Sequence, residues 1–375
     1  MVEFGGMLEW PCVANEAEIA SPALLLYRER IDANLRRMIA TAGGPERLRP
    51  HVKTHKLGPV VKMQMVLGIT KFKAATIAEA EMCAQEGAPD VLLAYPPAGP
   101  TGARVCELIR RFPGTRFSVI ADSSSAIRGL SVAARAAGVE LEVFLDLDCG
   151  MERTGVVPGA RAVELYRLIA TTPALRAAGL HAYDGHLGES DPAIRAAACE
   201  AAFAPVVALR EELERAGLAV PALVAGGAPS FPVHARYADR ESSPGTTVLW
   251  DIGYAERFAD LPYDIAAVVL TRVVSKPGRD RLCLDLGHKA VAAENPLAAR
   301  VRIVELPEAT TVMQSEEHLV LETERAREFA IGQTLHALPR HICPTVALHA
   351  EAIVVEGGKA VERWPILARG RRISV

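Results

Sequence analysis

No apolar stretch in this chain approaches the length of a membrane span, and a net charge of −3 favours neither sign. Neither a membrane nor a nucleic acid is therefore expected as a partner. A cysteine framework is missing too. The seven cysteines, at positions 12, 83, 106, 149, 199, 283 and 343, are odd in number and far apart, which in a chain of this size points to free thiols in a reducing cytoplasm. Met1 to Gly6 has neither the basic start nor the apolar centre of an export leader, so a cytoplasmic protein is expected. Internal repeats and low-complexity tracts are also absent.

What is present is alternation. From about residue 22 to 250, short aliphatic runs alternate with helical patterns. The runs are Val91–Tyr95, Phe117–Ile120, Leu141–Asp146, Leu180–Tyr183 and Leu223–Ala225. Thr76-Ile77-Ala78-Glu79 has the form of a capping box and opens a helix that stops near Gly87. Further helices are expected up to Gly138, around Ala160–Ala170 and from Pro192 to Gly217. Strands apolar on both faces and separated by helices indicate parallel βα units. So many units favour a closed (β/α)₈ TIM-type barrel, with an open sheet as the alternative. Beyond residue 260 the runs Ala266–Leu270, Leu282–Leu284, Val301–Val304, His318–Leu321, Ala352–Val355 and Val361–Trp364 lack intervening helices. The last two flank a Glu-Gly-Gly-Lys turn, which is a hairpin signal. The expected division is a barrel over 22–258 and a mostly antiparallel β domain formed by 1–21 with 259–375.

In a barrel, chemistry sits where strands end. Arg49-Pro50-His51-Val52-Lys53-Thr54-His55-Lys56 closes the first extended run. A buried lysine there loses its preference for the ammonium form and becomes an amine able to form a Schiff base; an isolated basic cluster is otherwise a solvated loop. Asp146–Gly155 delivers Arg153, His181–His186 follows the next strand, and two glycine-bearing segments, Gly226-Gly227 and Pro244-Gly245-Thr246, end late strands. Glycines let backbone N–H groups approach an anion. A Schiff-base lysine with a phosphate cradle points to pyridoxal 5′-phosphate (PLP). In His341-Ile342-Cys343, read as extended, imidazole and thiol fall on one side and could share a metal; a buried cysteine beside a structural histidine is the alternative. Glu316-Glu317-His318 could support such a site or be a solvated turn.

These segments resemble, in order and over nearly the whole chain, the D-threonine aldolase and D-serine dehydratase family of PLP enzymes with an alanine racemase-like barrel. The resemblance runs from Ser21–Leu26 through Arg49–Lys56, Asp146–Val156, Tyr183–His186, Gly226-Gly227 and Pro244–Thr246 to His341–Thr345 and Trp364–Gly370. It implies that Lys53 is the PLP lysine and that Arg153 meets the ring hydroxyl. Tyr183, Gly226, Gly227, Gly245 and Thr246 would complete the cofactor site, and His341 with Cys343 would bind a divalent metal (Zn, Mn or Mg). Ala347 and His349 stand where relatives carry Asn and Tyr. His-x-Cys looks like the dehydratases, whereas Ala182–His186 and Ser315–Leu319 look like the aldolases.

The implied activity is retro-aldol cleavage of D-3-hydroxy amino acids to glycine and an aldehyde, with His55 or His186 as base. The alternative is dehydration of D-serine or D-3-hydroxyaspartate to a 2-oxo acid and ammonia, with Lys53 as the base. A racemase would share Lys53 but needs a second base and no metal. A homodimer acting on a small D-amino acid is expected.

Overall fold

The computed structural model describes Trp10, Pro11 and residues 13–375; the leader reading at Met1–Gly6 and Cys12 lie outside the described residues. The chain divides into two compact units. One contains the residues up to Arg37, Thr54–Lys56 and Thr246–Arg369; the other contains Met38–Lys53, Leu57–Gly245 and Gly370–Val375. Residues 22–37 and 246–258, expected in the barrel, thus group with the β unit. Strand β1 (Ala23–Tyr27) shows why: all five residues are buried, and it pairs into the mixed sheet. Burial on both faces is met by the centre of a mixed sheet as well as by a barrel, so apolarity alone does not place such a strand.

The second unit is the barrel. Strands β2 (Lys71–Ala74), β3 (Asp90–Leu93), β4 (Arg116–Ala121), β5 (Leu141–Leu147), β6 (Leu175–Ala182), β7 (Leu223–Ala225) and β8 (Glu241–Ser242) pair in parallel, each with the next. The segment 48–52 occupies the eighth position between β8 and β2. Leu48 bridges Ser242, His51 bridges Lys73, and the N–H groups of Arg49 and Val52 donate to Ser242 and Lys73 carbonyls at 2.9 Å. Pro50 lacks an N–H and interrupts the ladder, which reduces this strand to bridges. Lys53 follows it directly.

Inside the barrel, Leu92, Ile120, Phe144, Ala178 and Val224 form one packed layer, as inward positions of successive strands should. The N-terminal rim is tied by charge: Arg49 pairs with Asp90 and Glu241, Lys71 with Glu241, and Arg116 and Arg176 with Glu142.

The helices follow their sequence signals. Thr76 Oγ1 accepts from Glu79 N at 3.1 Å and Glu79 Oε2 accepts from Ala75 N at 2.6 Å, a reciprocal cap on Ile77–Gln85. Gly138 ends Ser124–Ala137 at φ 67°, a left-handed cap that glycine adopts without strain. Helix Pro192–Arg215 is long and apolar enough by composition to span a bilayer, unlike the sequence expectation. Its buried residues Cys199, Phe203, Val206, Leu209 and Leu213 recur at helical spacing, the mark of one core-facing stripe on an amphipathic helix.

In the other unit β1 lies parallel to β15 (Glu351–Glu356) and antiparallel to β9 (Ala267–Gly278). The mixed sheet is completed by β10 (Arg281–Leu284), β11 (Val301–Ile303), β12 (Thr310–Gln314), β13 (Leu319–Glu322), β14 (Thr334–Pro339) and β16 (Lys359–Pro365), whose pairings are all antiparallel. β15 and β16 form the expected hairpin, turning at Gly357 and Gly358. Leu25, Tyr27, Val268, Leu270, Leu338, Ile353 and Val355 are part of its core.

Candidate active site

At the C-terminal ends of the barrel strands, His51, Lys53, Lys73, Asp146, Arg153, His181 and Tyr183 line one cavity. Three of these are sequence-expected residues brought together. Lys53 Nζ lies 5.7 Å from the Tyr183 ring centre, Lys73 Nζ 5.8 Å, and Arg153 Cζ 5.1 Å, within range of cation–π attraction. Arg153 is carried by a tightly folded loop. Asp148 Oδ1 accepts from the N–H groups of Gly150 and Glu152 at 2.9 and 3.0 Å, and Leu147 bridges Val156. Gly155, at φ 99°, abuts the backbone of Leu147 and Asp148, where a Cβ would collide at 2.6 Å.

Lys73, Asp146 and His181 were assigned no role from the sequence, and they are the most informative residues in the cavity. Lys73 is 2% exposed, and its amine has no hydrogen-bond or ion-pair partner among the described residues. Burial above all, with the nearby charge of Lys53, brings it down to about 7. Asp146 and His181 face each other in register on β5 and β6, with His181 Nδ1 2.7 Å from Asp146 Oδ1. Burial lowers the His181 pKa against the pull of Asp146, with Lys73 and Arg153 adding to the lowering. Neutral His181 therefore donates from Nδ1, because the carboxylate only accepts. Its Nε2 and Asp146 Oδ2 are buried without a partner among the described residues. Unsatisfied buried polar atoms of this kind call for a ligand or water.

The glycine segment after β7 is sterically committed. Gly226 sits at φ 73°, and a Cβ there would meet His234 Cδ2 at 2.4 Å; one on Gly227 would meet the Tyr183 ring at 3.0 Å. Gly227 N–H donates to Ser230 Oγ at 3.2 Å. Gly245 is buried shortly after β8. His186 is exposed beside Gly150 and does not line the cavity. His55 is fully buried in the other unit.

Behind the glycine segment, Asp184, Cys199 and His234 bring three metal-ligand atom types together. Their surroundings read as a hydrogen-bond network. Arg240 NH1 lies 3.0 Å from His234 Nδ1, and arginine can only donate, so His234 Nε2 carries the proton and gives it to Asp184 Oδ2 at 2.7 Å. Ser230 Oγ donates to Asp184 Oδ1 at 2.7 Å. A histidine nitrogen already holding a proton is not available to a metal.

In the β unit, His341 caps the helix Ile342–Leu348, so the stretch read as extended is a helix N-terminus. The pair still meets, because Cys343 in the first turn folds back toward the capping residue. The His341 imidazole is hydrogen-bonded to Cys343, which with burial opposing and Glu294 helping carries it up to about 9. Glu294 Oε1 lies 2.6 Å from His341 Nδ1, the carboxylate–imidazole arrangement that orients a metal-binding histidine. Thr54 Oγ1 and Thr246 Oγ1 lie 3.2 and 3.8 Å from Cys343 Sγ, so Thr246 reaches the thiol within this unit. Asp251 Oδ2 accepts from Ile342 N at 3.0 Å and fixes the turn. Glu316 and Glu317 are exposed and pair with Lys289, a solvated turn. The six described cysteines are all unpaired.

The family model described as alanine racemase, N-terminal domain, matches residues 27–249, more than half of the chain. The chain belongs to the alanine racemase N-terminal domain family. Within this family its C-terminal part, residues 266–355, matches a putative serine dehydratase domain. It is 30% identical over 371 residues to the 3-hydroxy-D-aspartate aldolase of Paracoccus denitrificans (strain Pd 1222), covering 95% of this chain and 94% of that one. The structure is similar to that of D-threonine aldolase from Filomicrobium marinum, with a TM-score of 0.87 and 30% identity over 94% of this chain and 96% of the other. D-threo-3-hydroxyaspartate dehydratase from Delftia sp. HT23 gives a TM-score of 0.82 at 26% identity, covering 94% and 98%. Aldolases and a dehydratase thus both align over almost their full length.

Proposed function

We propose that this protein is a PLP- and divalent-metal-dependent lyase that cleaves D-3-hydroxy amino acids to glycine and an aldehyde. The carrying observation is the barrel cavity, where Lys53 and Lys73, Arg153 and the orphaned polar atoms of Asp146 and His181 meet in a chain similar to aldolases over more than nine-tenths of its length. When bound, PLP supplies an electron sink for the breaking bond, and the metal supplies a Lewis acid for the 3-hydroxyl.

The chain's own residues fit these groups. Lys53 offers an amine for the cofactor carbonyl. Arg153 answers the ring hydroxyl and Tyr183 presents an aromatic face; Gly226, Gly227 and Gly245 are assigned to the phosphate by the resemblance, with the Gly226 and Gly227 N–H groups donating within the chain to Ala182 O and Ser230 Oγ. His341 and Cys343 are borderline-soft donors already turned toward each other, a pairing that suits zinc. Thr246 touches Cys343, so its place is beside the metal donor more than beside the phosphate. The dehydratase reading is favoured by that thiol and by the C-terminal match to a putative serine dehydratase domain, and is the second reading. A homodimer in the cytoplasm is part of the same proposal.

Product analysis with D-threonine and D-serine, PLP and a divalent metal tests it. Glycine with acetaldehyde supports the aldolase; a 2-oxo acid with ammonia moves the assignment to the dehydratase. Lys53→Ala is expected to lower either turnover at least about a thousandfold.

A further inference from the structure

Among the described residues, two buried polar atoms in the barrel cavity lack partners, Asp146 Oδ2 and His181 Nε2, and Lys73 Nζ beside them makes no hydrogen bond or ion pair. Leaving such atoms unmet is expensive, so the occupant of the cavity must complement them. The three are not alike. An amine donates, a carboxylate oxygen accepts, and His181, with Nδ1–H committed to Asp146, presents an acceptor lone pair at Nε2. His181 lies on β6 and Tyr183 just past its end, and both line the cavity.

PLP has four polar handles, and the proposed function already matches three of them. Lys53 takes the carbonyl carbon, Arg153 the ring hydroxyl and the glycine segments the phosphate. The ring nitrogen is left. A protonated ring nitrogen is the form that draws electrons most strongly, and it requires an acceptor. We propose that His181, held by Asp146, is the positioning residue that accepts a hydrogen bond from the protonated ring nitrogen of the cofactor. Burial above all, with nearby Lys73 and Arg153 adding to it, disfavours imidazolium and preserves the lone pair. Asp146 fixes the tautomer. An asparagine there could donate to Nδ1, moving the imidazole proton to Nε2, where it would oppose the ring N–H.

This rests on the reading that the cavity holds PLP, and the experiment separates the two. The affinity of PLP, and of its analogue with carbon in place of the ring nitrogen, is measured by absorbance titration on the full chain and on His181→Ala, His181→Gln and Asp146→Asn. In the unsubstituted protein PLP must bind and its absorbance must depend on Lys53; failure here removes the PLP reading itself. Given binding, His181→Ala and Asp146→Asn are expected to weaken PLP about tenfold or more, and to change the nitrogen-free analogue less than about twofold. His181→Gln, which keeps a neutral acceptor, is expected to recover most of the loss. Equal losses for PLP and the analogue, or no loss for either, overturn the assignment to His181. Retained analogue binding also shows that a variant is folded.

Discussion

Two aspartate–histidine pairs stand in the barrel unit, both 2.7 Å from oxygen to nitrogen and both buried, yet they do different things. In Asp184–His234 every polar atom is engaged, by Ser230, Cys199 and Arg240 as well as by the partner. In Asp146–His181 the inner atoms bond each other and the outer atoms bond nothing among the described residues. A satisfied pair is a strut, because any change removes something; an unsatisfied pair is an instrument, because something is still to be added. Leftover hydrogen-bonding capacity, more than residue type or burial, separates site from scaffold here.

The contrast between donor sets can be broken most sharply with metal. Cys343→Ala is expected to remove tight divalent-metal binding, at least about a hundredfold in affinity. Cys199→Ala should leave it unchanged, and metal analysis after dialysis against zinc checks both. A loss on Cys199→Ala would make the buried Asp184 group the metal site.

Stability gives the next effect. Asp184→Ala strips His234 and Ser230 of their shared acceptor in a dry interior and should destabilise by about 3–5 kcal/mol. Asp146→Asn, at the open pair, should change stability by less than about 1 kcal/mol. Denaturant melts of the two variants compare them directly, and similar losses would erase the distinction drawn above.

Lys73 should give a smaller signal than Asp184 and one of opposite sign. Its folded-state value of about 7 lies below the ordinary 10.5, so between those pH values the unfolded chain binds more protons and stability rises with pH. The penalty is complete below about 7 and gone above about 10.5. Lys73→Met should therefore stabilise the cofactor-free protein by on the order of 2 kcal/mol at pH 7. The gain should shrink as pH climbs, as read by melts at several pH values.

Much of this was legible in the sequence. Lys53, Arg153 and Tyr183 follow strand ends, where barrels place chemistry, and the cavity gathers all three. The parallel pairing of β3 to β7 follows from continuous apolar runs. The domain edges at 22 and 258 were harder, since β1 is as apolar as a barrel strand and its partners lie far away in sequence. Lys73, Asp146 and His181 were overlooked because they sit inside strands and not after them. A signal existed: a parallel strand buried on both faces should be uniformly apolar, and a lone lysine, aspartate or histidine within it breaks that rule. The histidines that stand out in the sequence as bases lie elsewhere, His186 at the surface and His55 in the other unit.

The extended segment before Lys53 has one more consequence. Pro50 has no N–H to give β2, so on that side the stave bearing the lysine is held by backbone only through Val52 N–H to Lys73 O and Lys73 N–H to Pro50 O. Arg49 compensates, reaching Asp90 on one side and Glu241 on the other while only 3% exposed. The barrel is thus fastened at its chemical seam by a side-chain rivet, and amide exchange around Val52 reports on whether that rivet holds.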